Sequence, residues 1–166
     1  MYIPFEKLDP LSKIWIFPSR QNLSSRREDI EYILKKFIDG WNAHGQPIKG
    51  SFAILDDHFI VLGADEKHTP PSGCSIDSSV EVIRNLEEKT GFTLLRRDWV
   101  PFVEQGKIKG IALQDLRKSY KAGDWKGESK FYNLSITLKK ELESLWILEA
   151  SNSWLKRYSV GQGQMA

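Results

Sequence analysis

The chain has 166 residues, 24 Lys plus Arg against 22 Asp plus Glu, three His and one Cys. At 40% hydrophobic and 28% charged it has an ordinary globular composition, and its length suits one domain that folds without metal or disulfide support. A single Cys excludes an internal disulfide, and a net charge of +2 gives no argument for nucleic acid. The first residues, MYIPFEKLDPLSK, lack the apolar core of a signal peptide. The longest apolar runs, Phe59 to Leu62 among them, have four residues and are far short of the roughly 18 residues of a membrane helix. A cytoplasmic protein with no membrane partner is expected. Charge is mildly asymmetric, −2 up to residue 100 and +4 beyond it, which reads as a solvated lysine-rich face.

In chain order, Lys13 to Phe17 alternates and is rich in β formers, so it predicts a strand ended by Pro18. Ser25 and Glu28 have the spacing of a capping box. Behind them Ile30, Ile33, Leu34, Phe37, Ile38 and Trp41 fall on one helical face, with Gly45 as a stop, predicting a helix over about 25–43. Phe37, in the middle of that stripe, is expected to be buried against a sheet. Ser51 to Leu55 and His58 to Ala64 predict a hairpin around Asp56-Asp57, although the turn lacks the usual Gly. Asp65 to Ser75 is a polar loop. Ile76, Val80, Ile83 and Leu86 then predict a second helix, about 77–90, capped by Ser78 and Glu81 and closed by Gly91.

The second half reads as strand-rich. Strands are predicted at Phe92 to Leu95, Trp99 to Val103, Lys107 to Ala112, Lys130 to Asn133 and Trp146 to Leu148. Short helices are predicted near Leu113 to Tyr120 and Leu138 to Leu142. Gly161 to Ala166 is expected to be a disordered tail. Hairpins outnumber helical crossovers, so the expected class is α+β: a single domain over 1–160 with a mixed, largely antiparallel sheet packed by two main helices.

Several chemistries lack their residues. The nearest approach to a phosphate loop, Gly40 to Gly45, continues Gln46-Pro47 instead of Lys-Ser and sits at a helix end, where the dipole has the wrong sign for phosphate. There is no G-x-S-x-G, H-E-x-x-H or C-x-x-C, and a cysteine phosphatase would need Arg where Val80 stands. Neither a metal nor a cofactor is expected.

The remaining candidate is Ser72-Gly73-Cys74-Ser75-Ile76-Asp77-Ser78, a small-residue loop running into a helix N-terminus. Free amides and the helix dipole favour an anion there, and the same field favours the thiolate of Cys74. His68 lies six residues upstream with Asp65 and Glu66 beyond it, so a base and an orienter are candidates beside the thiol. Two readings follow. In the first, Ser72, Gly73 and Ser75, with Asp65 and His44, bind a small anionic ligand or a protein partner. In the second, Cys74 is the nucleophile of a hydrolase or transferase, with His68 or His44 as base and Asp77 beside it. Against both stands the plain alternative that Cys74 is a small packing residue and that Asp77 and Ser78 are helix caps. His44 also suits the capping of the first helix, as a cation at its C-terminal end.

The chain resembles a family of small bacterial proteins found mainly in Bacteroidetes. The resemblance rests on MYIPFEKL, Trp41 with His44-Gly45, Asp65-Glu66, the string Ser72-Gly73-Cys74-Ser75-Ile76-Asp77-Ser78-Ser79-Val80, Asn133-Leu134, Trp146 and Ser153-Trp154. Members often carry the label "ABC transporter ATPase", which the missing phosphate loop does not support. The family usually has His after the Ser-Trp near the C-terminus, where this chain has Leu155. The resemblance implies that the Cys74 loop is the family's signature and supplies no activity. The stretch Gly110 to Asn133 is also similar to a small bacterial adaptor domain, with a helix ending in Gly before an aromatic pair, here Phe131-Tyr132, which implies a binding role.

Overall fold

The computed structural model describes residues 1–159, so the expected tail Gly161–Ala166 lies outside the described residues. The class is α+β with antiparallel sheets. The chain divides into two compact units, Met1–Arg96 with Ser135–Leu142, and Arg97–Leu134 with the chain from Glu143 onward.

The first unit holds β1 (Lys13–Pro18), α1 (Arg27–Asp39), β2 (Asn42–Ala43), β3 (Gln46–Pro47), β4 (Gly50–Leu55), β5 (Phe59–Ala64) and α2 (Gly73–Thr90). Its main sheet has the order β1-β5-β4, all antiparallel, with Leu55 opposite Phe59 and Lys13 opposite Ala64. Central β5 is buried along its whole length, as expected of a β-branched, apolar strand covered on both faces. The α1 face that meets the core is Ile30, Leu34 and Ile38, joined by Ile83 and Leu86 of α2. Full burial of a Leu or Ile side chain contributes about 1.5–3 kcal/mol, so this stripe is the main reason α1 stays on the sheet.

Five local expectations need correction. The first helix stops at Asp39, because residues 42–47 form the two-stranded ribbon β2-β3. Its turn residues, His44 at φ 52° and Gly45 at φ 79°, take the left-handed conformation of a tight hairpin. His44 therefore sits at a hairpin turn and does not cap α1. The Ser25–Glu28 box does not form. A 3₁₀ turn, Ser24–Arg26, precedes α1, and no side chain caps the helix. Phe37 is only half-buried, at the edge of the stripe. Finally, residues 92–95 form no strand, since the Glu87 carboxylate takes the amides of Leu94 (2.7 Å) and Leu95 (3.1 Å) that a ladder would need.

The predicted Asp56-Asp57 hairpin is present. Both Asp residues are left-handed, at φ 49° and 55°, and the His58 amide closes the turn on the Leu55 carbonyl at 3.1 Å. Asp tolerates this region better than most residues, which replaces the missing Gly.

The second unit contains β6 (Trp99–Glu104), β7 (Lys107–Ala112), α3 (Leu116–Lys121), β8 (Lys130–Tyr132) and β9 (Ile147–Glu149), in the antiparallel order β7-β6-β8-β9. Its core is aromatic: Trp125 stacks on Phe102 at 5.4 Å, and its indole donates to the Leu116 carbonyl at 2.8 Å. Trp125 is thus a buried anchor, although its polar sequence neighbours suggest a surface residue. Among the described residues no helix is long and apolar enough to cross a membrane.

Candidate functional site

The second helix begins four residues earlier than its apolar periodicity predicts. Pro70-Pro71 hold the chain extended up to Ser72, which sits at φ −96° and ψ 170° as the N-cap. Ser72 and Ser75 then satisfy one another. The Ser75 amide donates to Ser72 Oγ at 3.2 Å and the Ser72 amide to Ser75 Oγ at 2.6 Å, a capping box built from two serines. Ser78 and Glu81, the pair read as the cap, lie inside the helix; Ser78 Oγ bonds back to the Cys74 carbonyl at 2.9 Å.

Gly73-Cys74-Ser75 are therefore the first turn of α2 and not a loop before it. Gly73 and Cys74 are exposed, and among the described residues neither amide has a hydrogen-bond partner. They belong to the orphan donors that every helix start carries, and the dipole adds about half a positive charge there.

The turn is held in place from the side by Trp41. This indole, 3% exposed, donates Nε1–H to the Ser75 carbonyl at 2.9 Å. Phe37 lies against its ring at 5.3 Å and Trp15 meets it edge-on at 6.1 Å. The floor beneath is Gly50, where a Cβ would stand 3.0 Å from the Gly63 carbonyl oxygen and 3.2 Å from the Trp41 ring. Only glycine lets the indole come this close to the sheet.

Between the β2-β3 turn and the start of α2 these residues enclose a cavity of about 470 Å³. Phe37 and Trp41 form an aromatic wall; Asn42, His44 and Gly45 line it from the hairpin, and Ser72, Cys74, Ser75 and Ser78 from the helix. The lining contains no Lys, Arg, Asp or Glu. The start of α2 turns the positive end of its dipole toward this side, and His44 supplies the one imidazole of the lining.

Of the residues singled out in the sequence, Cys74, Ser72, Ser75 and His44 line this cavity, and Gly73 supplies the amide before Cys74. His68, Asp65 and Asp77 are not among the lining residues. His68 and Asp77 are exposed. Asp65 is buried and shapes a turn: its carboxylate accepts the Lys67 amide at 2.9 Å, and Lys49 Nζ stands 4.0 Å away. Of the two imidazoles named as candidates in the sequence, His44 lines the cavity with Cys74 and His68 does not. Sequence reading missed Phe37, Trp41 and Asn42 as cavity residues, and Ser78, the last of the candidate stretch, lines it. The signal that finds the hairpin is His44-Gly45 itself, a left-handed pair between Ala43 and Gln46.

Among the described residues no group of three or more His, Cys, Asp or Glu is placed to hold a metal ion. Comparison with protein-family models, with curated proteins and with solved structures gives no match.

Proposed function

We propose that this chain is a cytoplasmic binding protein for a small organic anion with an apolar body. The observation that carries this reading is the cavity itself. Cys74, whose amide is unpartnered like that of Gly73 just before it in the first turn of α2, lines the cavity together with the His44 imidazole, and Phe37 and Trp41 make an apolar wall. Its volume falls within the roughly 300–1,000 Å³ of small-molecule sites. A carboxylate at the helix start would take charge-assisted bonds, while an acyl or aromatic body would cover the indole.

Calorimetric titration with benzoate, and separately with inorganic phosphate, tests this. Benzoate should bind, and Gly73→Pro should weaken it by about tenfold or more, the worth of one hydrogen bond to a charged group. Proline suits this first helical position, nothing lies within 4 Å of the new Cβ, and Ser72 already has the extended backbone a following proline requires. Cys74→Ser should leave binding intact. Absence of heat with either anion at millimolar concentration, or equal binding by Gly73→Pro, would refute the reading.

A second reading is favoured by one observation, that His44 and Cys74 line the same cavity. It makes Cys74 the nucleophile of a hydrolase or transferase with His44 as the base. Hydrolysis of p-nitrophenyl acetate that disappears in both Cys74→Ser and His44→Ala would support it. Activity that survives either change would exclude it.

A further inference from the structure

The sheet of the first unit has one edge that is neither paired nor blunted. The outer edge of β1 is closed by Ser135–Leu142, through the Ile14 amide on the Thr137 carbonyl at 2.9 Å and a bridge between Lys13 and Leu138. At the start of β4, Met1–Ile3 does the same work: the Gly50 amide donates to the Met1 carbonyl and the Ile3 amide to the Gly50 carbonyl, both at 3.0 Å, in parallel register. Gly50 thus turns its backbone groups outward, away from β5. By the alternation of a strand, Phe52 and Ile54 do so as well, and the inward bonds at Lys49 and Leu55 agree with that phase. Among the described residues no strand pairs with this side of β4.

The edge carries Phe52, Ala53, Ile54 and Leu55, all half-buried, with no Lys or Pro to discourage pairing. The free edge of β7 in the second unit, by contrast, has Lys107 and Lys109. Beside β4 runs a groove of about 700 Å³ between α1 and the N-terminal segment, bordered by Phe5 and Tyr32. Its charges are unevenly committed. Arg27 bonds Glu31 at 3.1 Å and Asp57 at 3.0 Å, and the Lys35 ammonium lies 5.5 Å over the Tyr2 ring. Glu6 and Glu28 line the groove with no ion-pair partner among the described residues. The three carboxylates of the groove, Glu6, Glu28 and Glu31, outnumber its two cations, Arg27 and Lys35, so what is left to a partner is a pair of outward backbone rungs, an apolar channel and an excess of negative charge.

We propose that this edge binds an extended peptide segment of a partner protein, basic and apolar in alternation, as an added strand. Its backbone pairs with the amides and carbonyls of Phe52 and Ile54. The cationic set of alternate side chains lies in the groove, its aliphatic stems against Phe5 and Tyr32 and its charges at Glu6 and Glu28, while the apolar set turns to the opposite face. The first rungs of the same edge are already taken by Met1–Ile3 in this way, so the added strand continues a pairing the fold begins. Main-chain bonds supply affinity, and the acidic rim selects the partner.

The probe is a fluorescein-labelled hexapeptide of alternating Lys and Val, followed by fluorescence polarisation at low salt. Saturable binding is expected, with slowed hydrogen exchange at the Phe52 and Ile54 amides. Methylating the backbone nitrogens that face the edge should weaken binding about tenfold, since two hydrogen bonds are lost while charge is unchanged. Glu28→Lys, at an exposed helical position, should weaken it about threefold, and an alternating Glu and Val peptide should not bind. Three results would overturn the proposal: no binding at about 1 mM peptide, binding indifferent to methylation, or a sedimenting dimer that Ile54→Lys converts to monomer, which would make a second copy the occupant.

Discussion

Trp41→Phe separates the role of the indole nitrogen from that of the aromatic wall. Phe keeps an aromatic ring beside Phe37, but it lacks the indole Cε3 and Cζ3 that approach Gly50 and cannot donate to the Ser75 carbonyl at 2.9 Å. Loss of one neutral hydrogen bond costs about 1 kcal/mol net. The smaller ring also removes about 40 Å² of buried apolar surface at a site only 3% exposed, another 1 kcal/mol or so, and leaves a small void. The expected destabilisation is about 2–3 kcal/mol. With a urea slope of about 2 kcal/mol/M, the midpoint followed by far-ultraviolet circular dichroism should fall by about 1 M. Because Trp41 lies in the first unit, any separate transition of the second should stay where it is. A midpoint within about 0.2 M of the parent would mean that the indole bond does not anchor α2, and the account of how the cavity is held would fail.

Other expectations follow from the same geometry. Gly50→Ala should cost about 1–3 kcal/mol in urea unfolding, since its Cβ meets a backbone oxygen at 3.0 Å that cannot move aside. Leu34→Ala should cost about 2–5 kcal/mol, half-buried Phe37→Ala distinctly less, and Lys36→Ala under about 0.5 kcal/mol; equal losses would mean the α1 face is misassigned. The Asp9 carboxyl is held below its ordinary range by the Lys67 ammonium at 2.6 Å and by the Leu11 amide, and Lys67 is raised in turn. The pair therefore contributes in full between the ordinary carboxylate and lysine values, about pH 4 to 10, and is lost as pH falls through the depressed Asp9 value. In Asp9→Asn that acid limb should vanish from the urea midpoint against pH, and added salt should flatten it in the parent. Cys74 is exposed, so iodoacetamide should alkylate it in the folded protein at a rate comparable to that in urea; protection until unfolding would contradict the open first turn.

Where side chains repeat with a clear period, the sequence was a good guide. Ile30, Leu34 and Ile38 mark α1, and the alternation of β1 with the apolar runs of β4 and β5 marks the sheet and its hairpin. The errors share a cause: short structure made by polar contacts leaves no periodic trace. Gly73, Cys74 and Ser75 are poor helix formers, so the apolar repeat begins at Ile76. A helix starts before it because Ser72 and Ser75 cap each other and Trp41 holds the turn. The β2-β3 ribbon has two residues per strand, too few to alternate, and it hides behind a stripe that continues to Trp41. Glu87 takes the amides of Leu94 and Leu95 from a distance in sequence, and a predicted strand disappears. The cavity was legible only in half. Its helical side was flagged by composition, but the meeting of that side with His44 depends on a hairpin that local pattern did not reveal.

The closure of β1 by residues 135–142 also bears on how the chain is made. The first unit is assembled from two stretches of sequence with Arg97–Leu134 between them. On a ribosome, β1, β4 and β5 emerge and can pair early, while the strand edge that Thr137 and Leu138 will occupy stays bare until the intervening stretch has been synthesised. During that interval the nascent sheet presents two open edges instead of one, each a template for another nascent chain. Any pause in translation before residues 135–142 have left the ribosome would lengthen that exposure.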